Sequence, residues 1–134
     1  MLGVFEEINS ELFQSKRTSK KTSFPFLVSS GGTTSRAAAD NYWILDLSKN
    51  YQNISFDSEK QIVEIEAGVK MGDLSDFLKK HKRSFPIGLS GKTGIGYILT
   101  GGISPLSRSR GLAIDQIIEI KGFWGNGKKF HLSR

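Results

Sequence analysis

Hydrophobic residues near the N-terminus recur every three to four positions. Leu2, Phe5, Ile8 and Leu12 are separated by polar residues, and Phe13 extends the pattern. This spacing predicts an amphipathic helix over residues 2–13. The basic stretch Lys16–Lys21 follows it, where cations suit the C-terminal end of a helix.

Short apolar runs bounded by turn residues dominate the rest of the chain and predict strands. Two pairs of them are expected to form hairpins, the second through Gly125–Gly127. Trp43 and Tyr51 lie in apolar contexts that predict core positions. The predicted strands are Phe24–Val28, Trp43–Leu47, Ile54–Phe56, Ile62–Ala67, Ile117–Lys121 and Lys129–Leu132.

One further helix is expected between the strands. Met71, Leu74, Phe77 and Leu78 have helical spacing, and the basic residues 79–83 mark the helix end. Residues 84–102 are rich in glycine and are expected to be mainly loop. The order of elements predicts an α+β fold and not a repeating βαβ unit, within a single domain spanning residues 1–134.

The composition favours a soluble protein that has an anionic partner. Hydrophobic residues make up 37% and charged residues 24%, with a formal net charge of +6, which favours a phosphorylated small molecule, nucleic acid or an acidic membrane. The chain has no Cys, no signal-peptide pattern and no apolar run of transmembrane length. We therefore expect a cytoplasmic protein without a metal site or a membrane partner.

Two common phosphate-binding motifs are incomplete. Gly91-Lys92-Thr93 matches the end of a P-loop, but Pro86 occupies the position of its first glycine. Gly94-Ile95-Gly96 begins like a dinucleotide fingerprint, but Leu99 replaces its third glycine. A nucleotide triphosphatase and a Rossmann domain are both disfavoured.

The turn Gly31-Gly32-Thr33-Thr34-Ser35-Arg36 follows a predicted strand. It offers successive backbone N–H groups, three hydroxyls and a guanidinium, which together suit an anion. An ordinary polar turn has the same composition, so the spacing alone leaves both interpretations open.

Residues 85–112 carry the stronger signal. Glycines recur at short intervals there, and a backbone without side chains can lie against a planar ring system. A glycine-rich loop of this length in a small domain is more often functional than idle.

Several segments, in order, resemble one family, the p-cresol methylhydroxylase/vanillyl-alcohol oxidase superfamily of FAD-linked oxidases, near its berberine-bridge-enzyme branch. The resemblance covers about Phe24 to Phe130. Its segments are Phe26–Thr34, Ile44–Ser48, Val63–Leu78, Phe85-Pro86-x-Gly88, Gly94-Ile95-Gly96, Gly101-Gly102 and Ser107-Arg108-x-x-Gly111-Leu112-x-x-Asp115.

The resemblance implies a PCMH-type FAD-binding domain, with part of the first subdomain and a second subdomain of mixed or antiparallel sheet and flanking helices. It implies that the Gly31 turn holds the pyrophosphate, and that the segment from Gly88 to Gly102 lines the ribityl chain and the isoalloxazine. The implied cofactor-binding residues are Gly31, Gly32, Thr33, Thr34, Ser35, Arg36, Gly88, Thr93, Gly94, Gly96, Tyr97, Gly101 and Gly102.

Departures from the family pattern shape the expected chemistry. Many relatives carry a flavin-linked His where Thr33 stands, and some carry a linking Cys near the position of Ser90. FAD is therefore expected to bind noncovalently. The early strands and the substrate domain of the family are not expected within these residues, so a second chain is a possible partner and no catalytic base is assigned. A catalytically inactive binding module and a basic nucleic-acid-binding domain are the alternatives.

Overall fold

The computed structural model describes residues 25–134, which divide into two compact units, Pro25–Gln116 and residues 117–134. The helix expected over residues 2–13 lies outside the described residues. The single domain expected over residues 1–134 stays a prediction.

The larger unit begins with a pair of parallel strands. Strand β1 (Phe26–Ser29) lies beside β2 (Trp43–Asp46), with Phe26 opposite Trp43 and Ser29 opposite Asp46. The connection between them contains a 3-10 turn, Ser35–Ala37. Both strands were expected from their apolar runs, and the parallel pairing leaves the Gly31 turn at the carboxyl end of β1.

The next two strands form the expected hairpin. Strand β3 (Ile54–Asp57) pairs antiparallel with β4 (Ile62–Ile65). One carboxylate oxygen of Asp57 accepts hydrogen bonds from the amides of Glu59 and Lys60, each at 3.0 Å, and this fixes the turn.

Helix α1 (Met71–Lys80) supplies much of the core. Met71, Leu74 and Leu78 are buried along one stripe of the helix, as their spacing predicts. The buried hydrophobic residues of the described chain are Leu47, Tyr51, Val69, Met71, Leu74, Leu78, Ile98 and Ala113.

The glycine-rich segment is less irregular than its composition suggests. Residues 84–102 contain a short helix, α2 (Gly96–Leu99), because the apolar side chain of Ile98 reaches the core, where it is 2% exposed. A second short helix, α3 (Ser107–Arg110), and a 3-10 turn, Ala113–Gln116, follow it.

Residues 117–134 form a hairpin of their own. Strand β5 (Glu119–Phe123) begins two residues later than expected and pairs antiparallel with β6 (Lys129–Ser133). The turn has a left-handed glycine, Gly127, with φ of 80°. The rings of Trp124 and Phe130 lie 4.5 Å apart across the hairpin.

The expectation that Trp43 lies in the core is wrong, whereas the same expectation for Tyr51 is confirmed. Trp43 is 66% exposed and Tyr51 is 3% exposed. Trp43 lies on a sheet that has two strands among the described residues, so no described element covers its face. The backbone of Tyr51 is fixed beside Gly68, whose amide donates to the Tyr51 carbonyl at 2.8 Å.

The expected α+β class is confirmed, with one parallel and two antiparallel strand pairs in the described chain. Among residues 25–134, no helix combines the length and apolar character needed to cross a bilayer.

The end of α1 generates a stability prediction. The amides of Lys82 and Arg83 bond back to Lys79 and Leu78, and Lys82 has φ of 55°, at a position that favours glycine. Lys82→Gly should therefore raise the free energy of unfolding by about 0.5–1 kcal/mol. The control Lys80→Gly, inside the helix, should lower it by a similar amount, about 0.5–1 kcal/mol, in urea titrations. A loss of stability in Lys82→Gly would contradict this account.

Burial of Tyr51 generates a prediction about alkaline unfolding. Desolvation, with a smaller contribution from the Glu66 charge, raises the pKa of Tyr51 above its ordinary value of 10.0. The native state therefore resists deprotonation, and this contribution to stability is present below about pH 10 and is lost as pH rises through the native pKa. Urea midpoints should fall less above about pH 10 for Tyr51→Phe than for the parent protein. Equal losses in both proteins would refute the assignment.

Candidate functional site

Two glycine turns that lie far apart in the sequence are in direct backbone contact. A Cβ added to Gly31 would lie 2.9 Å from the Cα of Gly94 and 3.0 Å from the carbonyl carbon of Thr93. A Cβ added to Gly94 would lie 2.9 Å from the Cβ of Ser30. These distances are shorter than van der Waals contact, so neither position has room for a side chain. The contact joins the Gly31 turn to the later glycine segment, the two stretches that the resemblance implies hold one cofactor.

Hydrogen bonds hold the first turn in place. The Ser30 hydroxyl donates to the carbonyl of Ala67 at 2.6 Å, which ties the turn to the chain that leaves β4. The Leu47 amide donates to the carbonyl of Ser29 at 2.8 Å and extends the β1–β2 pairing to the turn. Both hydrogen bonds anchor the turn at the two residues that directly precede Gly31.

The second segment is anchored on the start of α1. The amide of Met71 donates to the Thr93 carbonyl at 2.8 Å, and that of Gly72 to the Gly91 carbonyl at 2.9 Å. Gly72 and Gly91 are packed closely, since a Cβ on Gly91 would lie 3.0 Å from the Cα of Gly72. The first amides of a helix have no partner within the helix, and here the glycine segment satisfies them.

Several amides beside the contact between the turns have no partner among the described residues. Within residues 25–134, the amides of Gly31, Gly32, Thr33, Thr34 and Gly94 donate no hydrogen bond to another described residue. Of these residues, Gly94 is buried, whereas Gly32, Thr33 and Thr34 are exposed and can offer their amides to a ligand. Gly32 has φ of 63°, a left-handed conformation that suits glycine. Successive amides of this kind form a concave site for an anion.

Lys70 adds a positive charge that the sequence motifs did not single out. It pairs with Gly94 in an isolated antiparallel bridge, and paired residues of such a bridge project to the same side. Lys70 is exposed. Its signal in the sequence was weak, because a single Lys before a helix is common.

Asp46 is the acidic residue at the end of β2, where it lies opposite Ser29 of β1. Hydrogen bonds from the hydroxyl and the amide of Ser48 lower the pKa of Asp46 below its ordinary value, and the charges of Lys49 and Lys70 lower it further. Asp46 is therefore ionised at neutral pH and is engaged in the turn that follows β2.

The polar residues of the first turn face solvent. Thr33, Thr34 and Ser35 are exposed, and the backbone of Arg36 lies in the 3-10 turn Ser35–Ala37. Gly96 is also exposed, and no atom of the other described residues lies within 4 Å of a Cβ built on it. Both stretches offer an open backbone surface to a ligand.

Gly101 and Gly102 have left-handed backbone conformations and hydrogen bonds within the chain. Their φ angles are 114° and 71°, and their carbonyls accept the amides of Ile114 and Ala113, each at 3.0 Å. A Cβ on Gly102 would lie 2.5 Å from that of Ala113. Close packing therefore requires glycine at position 102 and the φ angle favours glycine at position 101, while their expected contact with the cofactor stays a prediction.

Gly88 and Tyr97 form a pair. A Cβ on Gly88 would lie 3.3 Å from the Tyr97 hydroxyl, which donates to the carbonyl of Ile103 at 2.5 Å. Asp115 organises the turn at the end of this unit, because its carboxylate accepts the Leu112 amide at 2.8 Å next to Gly111, whose φ is 78°.

Comparison with known proteins identifies the family. The family model described as FAD binding domain matches residues 9–133. The FAD-linked oxidoreductase nodO of Hypoxylon pulicicidum is 37% identical over 92 residues, which cover 68% of this chain and 20% of that protein.

Solved structures share the fold. BBE-like 1 of Physcomitrella patens superposes with a TM-score of 0.82 at 23% identity, covering 96% of this chain and 28% of that chain. A glucooligosaccharide oxidase of Acremonium strictum, described by its 6-S-cysteinyl, 8α-N1-histidyl FAD, has a TM-score of 0.72 at 21% identity and covers 82% of this chain and 24% of that one. This chain thus spans a fifth to about a quarter of the length of these proteins. The chain belongs to the FAD binding domain family, the PCMH-type domain of FAD-linked oxidases.

Proposed function

We propose that this chain binds FAD noncovalently, with the pyrophosphate at the amides of the Gly31 turn and the ribityl chain and ring along the segment from Gly88 to Gly102. The observation that carries the proposal is the contact of Gly31 with Gly94, beside amides that no described residue uses. It joins the two surfaces that one extended dinucleotide must touch.

The chemistry of the donors fits a diphosphate. Amide N–H groups of the Gly31 turn supply hydrogen bonds, and the hydroxyls of Thr33 and Thr34 are exposed beside them. Lys70 contributes a positive charge opposite Gly94. Asp46 is ionised, and the charges of Lys49 and Lys70 act against its negative charge at the end of β2.

Noncovalent binding follows from the residues at the linkage positions. Thr33 stands where many relatives carry a flavin-linked His, and its hydroxyl is a far weaker nucleophile than imidazole at neutral pH. The chain has no Cys, and Ser90 lies near the second linkage position. His81 lies against the rings of Phe56 and Phe77, at 4.9 Å from each, beyond the end of α1.

The flavin, when bound, supplies two-electron oxidation of a small molecule, and the chain supplies binding and orientation. The matched proteins are several times longer, so we propose that catalysis needs further polypeptide, such as a second chain that carries the substrate site. Exposed apolar side chains in the larger unit, including Trp43, Leu89 and Ile103, offer it a surface.

The purified protein should turn yellow when it is incubated with FAD and then separated from free cofactor. Acid precipitation should release all of the flavin and leave a colourless pellet, because no covalent link forms. Riboflavin, which lacks the pyrophosphate, should bind more weakly than FAD in a fluorescence titration. A protein that stays colourless with FAD would refute the proposal. Strongly salt-dependent binding to nucleic acid would then favour the basic-domain alternative.

Gly96→Ala tests where the cofactor lies. The added methyl group meets no atom in the part of the chain that the structure describes, so the thermal midpoint should not fall. If the flavin lies on this backbone surface, the methyl group should raise the FAD dissociation constant by about tenfold or more. Gly125→Ala is the matched control, since it also adds a methyl group in open space but belongs to the β5–β6 hairpin. Wild-type affinity in Gly96→Ala would place the cofactor elsewhere.

A further inference from the structure

Gly88 and Ile103 lie at the two ends of the glycine segment and have few hydrogen bonds of their own. Thr93 and Gly94, in the middle, are fixed by α1 and by Gly31, as described above. Among residues 25–134, the carbonyl of Ile103 accepts its one hydrogen bond from the Tyr97 hydroxyl, and no described backbone bond involves Gly88. Gly102, next to Ile103, is also held by the amide of Ala113, so Tyr97 adds to this anchoring and is the residue that contacts both ends.

Tyr97 connects these ends to the fixed middle. Its amide donates to the carbonyl of Gly94 at 3.1 Å, so its backbone rests on the residue that contacts Gly31. Its ring lies against Gly88, where an added Cβ would be 3.3 Å from ring carbon Cε1 and 3.4 Å from Cζ. The glycine at position 88 lets the ring approach this closely.

We propose that Tyr97 is a positioning residue that shapes the cofactor segment before FAD arrives. Its ring sets the place of Gly88, and its hydroxyl sets the place of Ile103. A segment that is already ordered loses less conformational entropy when a ligand binds, so its affinity is higher. This inference rests on the proposed function, because the ligand is FAD.

A direct ligand contact would give a different pattern. The Tyr97 hydroxyl donates its proton to Ile103 and cannot donate it to FAD at the same time. Loss of the hydroxyl should therefore act first on the order of the empty segment, and through that on the cofactor.

The test compares Tyr97→Phe, which keeps the ring and removes the hydroxyl, with Tyr42→Phe. Tyr42 is 43% exposed, and no hydrogen bond of its hydroxyl to a described residue is found, so it is a matched control. Hydrogen exchange of the full chain without FAD should become faster around Gly88 and Ile103 in Tyr97→Phe and remain unchanged in Tyr42→Phe. Exchange that is unchanged in Tyr97→Phe overturns the proposal.

FAD titration supplies the functional readout. The dissociation constant should rise roughly 3- to 10-fold in Tyr97→Phe, the range of one neutral hydrogen bond, and stay constant in Tyr42→Phe. Faster exchange with unchanged affinity would show a merely structural role and overturn the positioning claim. If the wild-type chain binds no FAD, the proposed function and the positioning of FAD both fail, while the exchange result still decides whether Tyr97 orders the segment.

A double-mutant cycle checks that the ring acts through position 88. Gly88→Ala should weaken FAD binding in the wild-type background, because the methyl group pushes the Tyr97 ring. In the Tyr97→Ala background the ring is gone, so the same change should have a much smaller effect. Equal effects in both backgrounds would overturn the pairing of Gly88 with Tyr97.

Discussion

The backbone contact between Gly31 and Gly94 is the constraint on which the rest of the site depends. Two turns more than sixty positions apart approach so closely that a Cβ on either glycine would overlap atoms of the other turn. Ser30 and the start of α1 hold the two sides of this contact, so strand β1, the end of β4 and helix α1 all meet there. A ligand that binds the exposed amides of the first turn therefore meets a site whose two sides are already assembled.

The glycines of this chain serve two different purposes. At some positions, neighbouring backbone or side-chain atoms occupy the space that a side chain would need, so packing within the chain explains the glycine. These positions are Gly68, Gly72, Gly91 and Gly102. Gly96 faces open space and has no internal requirement for glycine. The open space at Gly96 is therefore better evidence for a ligand than the closely packed glycines are. A sequence motif does not distinguish these two kinds of glycine.

Much of the fold followed from periodicity. The β3–β4 hairpin and α1 agree with the alternating and helical patterns, because their buried residues are local in sequence and repeat at the period of the element. Trp43 was misjudged because an apolar run does not say whether a sheet face is covered. The helical turn at Gly96–Leu99 was not predicted, because the high glycine content of the segment suggested a loop. In the structure, burial of Ile98 in the core accompanies this turn. Lys70 is not part of any sequence motif, so its position opposite Gly94 was not predicted.

The amino-acid sequence by itself determined the α+β class and the absence of Cys and of a His at position 33, the usual residues for covalent flavin attachment, and it predicts the two glycine segments as the place for a phosphate-bearing cofactor. These are properties of residue types and local spacing. Only the tertiary structure decided that Gly31 contacts Gly94 and that Gly101 and Gly102 accept hydrogen bonds from the Ala113–Gln116 turn. It also decided that the Tyr97 hydroxyl donates to the carbonyl of Ile103. Such pairings depend on which atoms meet once the core closes, and spacing along a chain carries no record of that.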